Sequence, residues 1–141
     1  MNREIYQEPL VSRYTSPEMQ KLFSEQNKFQ TWRKCWIALA EAQNELGLDD
    51  IVTSDMVNEL KAHEHDIDFD IAAKKEKEIR HDVMAHVYAY GQKCPNAEPI
   101  IHLGATSQFV GCNTDLSIQR DGLKLVKQAL LNVIANLSRF C

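Results

Sequence analysis

From Leu116 to Phe140 the apolar side chains recur at helical spacing on more than one face. Leu116, Leu123, Leu130 and Leu137 repeat every seven residues, and Val126, Val133 and Phe140 stand on adjoining positions. Ile118, Leu125 and Leu131, with Ile134 nearby, form a second row. A helix with so wide an apolar surface lies among several neighbours, because one contact covers only a narrow stripe. The remaining chain offers too few helices for this, so partner helices from further sequence or from other subunits are implied. The pattern still runs at Cys141 with no Gly, Pro or other stop signal, which reads as a piece of a longer protein.

Upstream the same periodicity dominates, and no strand-rich segment, internal repeat, Gly-rich phosphate loop or low-complexity tract interrupts it. Residues 1–15 carry Pro9 and no sustained period, and read as an extended arm. Ser16-Pro17-Glu18 then opens a helix, with Ser as N-cap, Pro at the first helical position and an acid in the first turn. Met19, Leu22, Phe23, Phe29, Trp32, Trp36, Leu39, Ala40 and Leu46 continue it to Gly47, a helix of about eight turns. Trp32 and Trp36 share a face, and such a stripe is core more often than a nucleotide platform. Thr53 or Ser54 caps a shorter helix to about His63. His63 and His65 point to different sides of a helix, which argues against a shared metal.

A third run opens at Asp66 or Asp68, turns Ile71, Ala72, Ile79, Val83, Val87 and Tyr90 inward, and closes at Gly91. In its middle Arg80-His81-Asp82 enters the apolar Val83-Met84-Ala85, and three ionisable side chains there cannot all be solvated if the helix is packed. One reading is an internal ion pair, with Asp82 capping a kinked second half. The other is a ligand site, with Arg80 as anion clamp and His81 as donor or proton carrier. His86 is off the face of His81 and reads as a core histidine. In the arm, Ser12-Arg13-Tyr14 sets a guanidinium beside a phenol, a pair able to hold a phosphate or a carboxylate, or simply a surface pair.

The segment Gln92 to Pro99 is a loop delivering the chain to Ile100–Leu116, IIHLGATSQFVGCNTDL. Gly104 permits close backbone approach, Thr106 and Ser107 supply hydroxyl donors, and a helix N-terminus nearby supplies unpaired N–H groups. That order suits an anion site. The plainer alternative is a linking loop with Asn113 or Thr114 as an ordinary N-cap.

Composition narrows the classes. With 44% apolar and 26% charged residues in 141, the chain is a globular domain and not a disordered one. Sixteen basic against twenty acidic residues give a net charge of −4, so no overall field favours nucleic acid. No stretch approaches the roughly 18 apolar residues of a membrane span. Cys35, Cys94, Cys112 and Cys141 lie far apart without a CxxC pair, as reduced thiols in a cytoplasmic protein would.

Six motifs then carry a resemblance. Ser12-Arg13-Tyr14, Lys28-Phe29-Gln30-Thr31-Trp32-Arg33, Leu39-Ala40-Glu41-Ala42, Arg80-His81-Asp82-Val83-Met84-Ala85-His86, Ile100-Ile101-His102-Leu103-Gly104-Ala105-Thr106-Ser107 and Asn113-Thr114-Asp115-Leu116 stand in this order. From about Pro9 onward the chain resembles the adenylosuccinate lyases of the fumarase/aspartase superfamily, most nearly the form of animals and some bacteria. The resemblance implies an all-α fold, with an N-terminal helical domain over residues 1–106 and the start of a central helix-bundle domain over residues 107–141. It implies a cytoplasmic homotetramer whose active sites draw on different subunits. The reaction implied is a cofactor-free, metal-free β-elimination of fumarate in purine biosynthesis. Its substrates are adenylosuccinate, which yields AMP, and the succinyl-aminoimidazole-carboxamide ribotide.

By position, Arg13 and Tyr14 resemble residues that reach the nucleotide phosphate. Arg80, His81 and Asp82 resemble a second substrate-contacting segment, and Thr106 and Ser107 resemble hydroxyls that bind the succinyl carboxylate. The general-acid histidine and the catalytic serine are expected beyond residue 141, so this stretch would bind substrate without catalysing. The family carries an aromatic and an acidic residue near Phe109 and Cys112, where this chain has Gln108-Phe109 and Cys112-Asn113. Two other readings stand beside this one: another superfamily lyase such as argininosuccinate lyase, and a non-catalytic helical assembly module.

Overall fold

The computed structural model describes residues 8–140, and among them every regular element is a helix. A π-helical turn, Leu10–Tyr14, precedes α1 (Pro17–Leu22), α2 (Glu25–Glu45), α3 (Ser54–Ala62), α4 (Phe69–Ile79) and α5 (Asp82–Gly91). A 3-10 turn, Glu98–Ile100, leads to α6 (Ser107–Phe140). The arm is therefore helical rather than extended where it is described, and residues 1–7 of that expectation lie outside the described part.

Local side-chain chemistry, more than apolar phase, decides where helices start and stop. Ser16 caps α1 as expected, but the single long helix is broken at Ser24, whose Oγ accepts from the Asn27 N–H at 3.2 Å. Asn27 Nδ2 in turn donates to the Leu22 carbonyl at 2.7 Å, which satisfies the end of α1 at the same joint. Thr53 caps α3 and Asp68 caps α4. The third run is likewise two helices, and the cap of the second is His81 rather than Asp82. Gly91 is the last residue of α5, where a Cβ would stand 2.7 Å from Cγ of Glu98; it serves close approach and not a left-handed cap.

α2 is the hub, packed against α3, α6 and α1, while α4 lies along α5. Trp32, Trp36, Leu60, Tyr90, Ile101 and Val110 fill the space between them. Seven of the ten residues of α5 are buried, as expected of a helix surrounded by others. Arg33 is buried with its guanidinium 4.1 Å over the Tyr90 ring. It donates to the carbonyls of His63 and of Asp66, the latter at 2.9 Å, so the negative end of α3 stands in for a carboxylate. Tyr90 donates its hydroxyl to the Leu60 carbonyl at 2.6 Å. Ile79, expected inward, is exposed at the end of α4.

α1 reaches α6 at Gly122, where a Cβ would meet the Phe23 ring at 3.2 Å. Gln20 ties the arm to α1 by donating to the carbonyls of Val11 and Thr15, at 2.8 and 3.1 Å. Beyond Leu125 no residue of α6 is even partly buried, so the apolar rows of Val126, Leu130, Val133 and Leu137 face outward. No described helix is long and apolar enough to cross a membrane.

Candidate functional site

The break between α4 and α5 creates the first half of the site. α4 closes on Arg80 in the left-handed region (φ 54°, ψ 43°), with its N–H donated to the Glu76 carbonyl at 2.7 Å. This is the one described non-glycine residue with positive φ, a conformation that L side chains occupy at a cost. The chain then extends through His81 and re-enters a helix at Asp82. His81 Nδ1 accepts from the Met84 N–H at 3.2 Å, and Asp82 Oδ1 accepts from the Val83 N–H at 2.7 Å.

The second half is the turn before α6. Ile100 and Ile101 anchor it in the core, and Gly104 reverses it with φ 72°, a value that suits glycine. Gln43 Nε2 holds it from α2 through the Leu103 carbonyl at 2.9 Å. The helix opens at Ser107, six residues before the turn-forming cluster that was expected to open it. Asn113 instead back-bonds to the Phe109 carbonyl at 2.7 Å, and Thr114 is fully buried against α2, beside the Cys35 thiol.

The two halves meet. Ser107 Oγ lies 3.3 Å from His81 Nε2. Because His81 Nδ1 accepts the cap bond, its neutral ring carries the proton on Nε2 and donates it to the Ser107 oxygen. The first turns of α5 and α6 are thereby side by side, each with a positive dipole end, although in α5 the Val83 and Met84 N–H groups are already taken by Asp82 and His81. Such a corner accepts an anion.

Of the sequence-derived residues, the structure brings His81 and Ser107 into contact, with Arg80, Asp82 and Thr106 as their chain neighbours. Arg80, His81 and Asp82 are all exposed, contrary to the expectation that packing would bury part of the trio. The helix break turns them out of the core, and His81 Nδ1 lies 3.8 Å from Asp82 Oδ1 at the surface rather than inside the packed helices. Arg13 and Tyr14 are exposed at the end of the arm, and among the described residues no hydrogen bond or ion pair joins their side chains to the other five. His63 pairs with Asp66 at 2.8 Å, and His65 with Gln30. His86 stacks on Phe29 at 3.7 Å in the core, where burial and then Arg33 push it down to about 4.

One residue of the quoted motifs was given no role in the sequence reading. His102, in the turn, accepts at Nδ1 from the Trp36 indole N–H at 2.9 Å. Burial, and then the charge that His81 can carry, hold it below the ordinary histidine value. A histidine set between Ile101 and Leu103 carries no periodic signal, and its partner lies 66 positions away.

The fold and this corner define a helical unit that gathers hydroxyl, imidazole and helix-end donors, groups chemically able to meet a small anion. The comparisons give that class a particular counterpart. The chain is 48% identical over 136 residues to adenylosuccinate lyase of Schistosoma mansoni, and 49% and 47% identical over 137 residues to those of Schizosaccharomyces pombe and Saccharomyces cerevisiae. Each match covers 96% of the chain, so the similarity to adenylosuccinate lyase runs over nearly all of its length. The chain spans 28% of the length of these curated relatives. No protein-family model matches it.

Proposed function

We propose that the chain is the substrate-binding N-terminal portion of an adenylosuccinate lyase, a carbon–nitrogen lyase of the cytoplasm. Residues 1–106 form its N-terminal helical domain, and residues 107–141 begin the long helix of a central bundle shared by four subunits. The complete enzyme releases fumarate from adenylosuccinate and from the succinyl-carboxamide ribotide. In such a β-elimination a base takes the Cβ proton, the carbanion is held as an aci-carboxylate, and an acid protonates the departing nitrogen. This portion supplies donors for the anionic groups, and the acid and the base come from sequence beyond it.

The observation that carries the reading is the His81–Ser107 contact, which joins two segments 26 residues apart at the ends of two helices. In this reading Thr106 and Ser107 donate to the succinyl carboxylate, with Arg80, His81 and Asp82 lining the same corner. Arg13 and Tyr14 stand apart from that corner, which fits a phosphate site completed by a neighbouring subunit. The exposed apolar rows of α6 fit burial in the bundle.

Two measurements test it. The purified 141-residue chain should release no fumarate from adenylosuccinate, whereas the complete protein should, and it should prefer that substrate to argininosuccinate. In the complete protein, Arg80→Ala and Ser107→Ala should each lower kcat/KM by roughly a hundredfold, the scale of losing a charge-stabilising donor. Unchanged rates in both variants would favour an assembly module instead.

A further inference from the structure

The π-helical turn Leu10–Tyr14 has no apolar packing to hold it. None of its five residues is buried, and Tyr14 is 77% exposed. Its own bonds close it only upon itself. The Thr15 N–H and hydroxyl both donate to the Leu10 carbonyl, at 3.0 and 2.9 Å, and the Ser12 N–H donates to the Glu8 carbonyl at 3.2 Å. A bond spanning five residues makes a wider turn than an α-helix has, a rare geometry met often at functional sites.

Gln20 supplies the tie to the rest of the molecule. From α1 its Nε2 donates to the carbonyls of Val11 and Thr15, at 2.8 and 3.1 Å. A carboxamide has two N–H donors, and both are spent here, one on each side of Arg13-Tyr14. Among the described residues no other hydrogen bond joins residues 10–15 to a neighbouring helix. α1 is itself seated, with the Asn27 amide on the Leu22 carbonyl at 2.7 Å and with Leu22 and Phe23 against Gly122 of α6. The tie acts on an anion at Arg13 and Tyr14 in two ways. It removes backbone freedom that binding would otherwise have to remove. It also covers two carbonyl oxygens with N–H groups, so that their negative ends do not face the anion unopposed.

We propose that Gln20 is a positioning residue for the phosphate group of the ligand: its carboxamide, bridging the Val11 and Thr15 carbonyls, holds the π-helical turn in the shape that presents Arg13 and Tyr14. The phosphate rests on the lyase reading; the tie between α1 and the turn does not.

The test uses the complete protein that contains this chain. Gln20→Leu keeps most of the side chain's size and removes both donors, and Gln20→Glu keeps its shape but can only accept. Gln20 is exposed, so both variants should fold. In each, adenylosuccinate KM should rise at least about fivefold, the scale of one net hydrogen bond, with kcat within about twofold. In an Arg13→Ala background Gln20→Leu should change KM by less than about 1.5-fold, because the turn then has no guanidinium to place. Trypsin should cut after Arg13 at least about fivefold faster in both variants than in the wild type, since cleavage needs the turn to open.

An unchanged KM in both Gln20 variants, an undiminished effect of Gln20→Leu in the Arg13→Ala background, or an unchanged rate of cleavage after Arg13 would each overturn the proposal. A complete protein that turns over no succinyl substrate would instead remove the lyase reading, and the cleavage rates would still decide the tie.

Discussion

The two halves of α6 carry the same kind of residue and meet opposite fates. In Ser107–Gly122 the inward positions Val110, Thr114, Ile118 and Gly122 are buried against α2 and α1. In the half that follows, Leu123 is 69% exposed, and Val126, Leu130, Val133 and Leu137 share its exposure. Apolar periodicity thus reports that a face is made to be covered. What covers it is a separate matter, set by which helices are at hand. The near half found its cover within the chain, and the far half is the surface for which the proposed bundle accounts.

The comparison breaks most readily on packing. Leu60→Ala, in the core, should cost about 2–5 kcal/mol by urea unfolding, whereas Leu130→Ala in the chain by itself should cost less than about 0.5 kcal/mol. Similar losses at both positions would mean that the far half of α6 is packed in solution after all.

A smaller effect comes from His86, the 8%-exposed histidine in the packed region. Its imidazole is pushed down from 6.5 to about 4, first by burial and then by the Arg33 charge. As pH falls the unfolded chain takes up this proton first, so His86 contributes fully to stability above its unfolded value and loses that contribution on the way down to about 4. Between pH 7 and 5 the loss is about 2 kcal/mol. Urea midpoints at the two pH values should show it, and His86→Gln should flatten the slope. A wild-type slope unchanged by that substitution would place the acid sensitivity elsewhere.

The smallest effect sharpens the comparison at the joint between α4 and α5. Arg80→Gly relieves the left-handed backbone and should stabilise the chain by up to about 1 kcal/mol. It should also impair substrate binding in the complete protein. A variant both less stable and fully active would contradict a strained functional residue at this joint.

Helix existence was legible in the sequence wherever periodicity and a cap agreed, as at Ser16, Thr53 and Asp68. The breaks were not, because the apolar phase runs on through Ser24 and His81 while their side chains accept backbone N–H groups and end one helix or start another. The start of α6 was misplaced for the converse reason: Asn113, Thr114 and Asp115 have turn chemistry, but here they are interior helix residues. For the site, the two polar segments were visible as chemistry, and their meeting at His81 and Ser107 depended on packing of α2, α5 and the turn. His102, though it stands in one of the motifs, was given no role for the same reason.

Gly122 has a reach that its size conceals. Because no methyl group stands there, the Phe23 ring can settle on α6, and through Gln20 the same helix holds Val11 and Thr15, on either side of Arg13 and Tyr14. Adding one carbon at position 122 would tilt a lever whose other end holds a guanidinium, so an alteration in a wholly apolar contact would be felt at the proposed phosphate site.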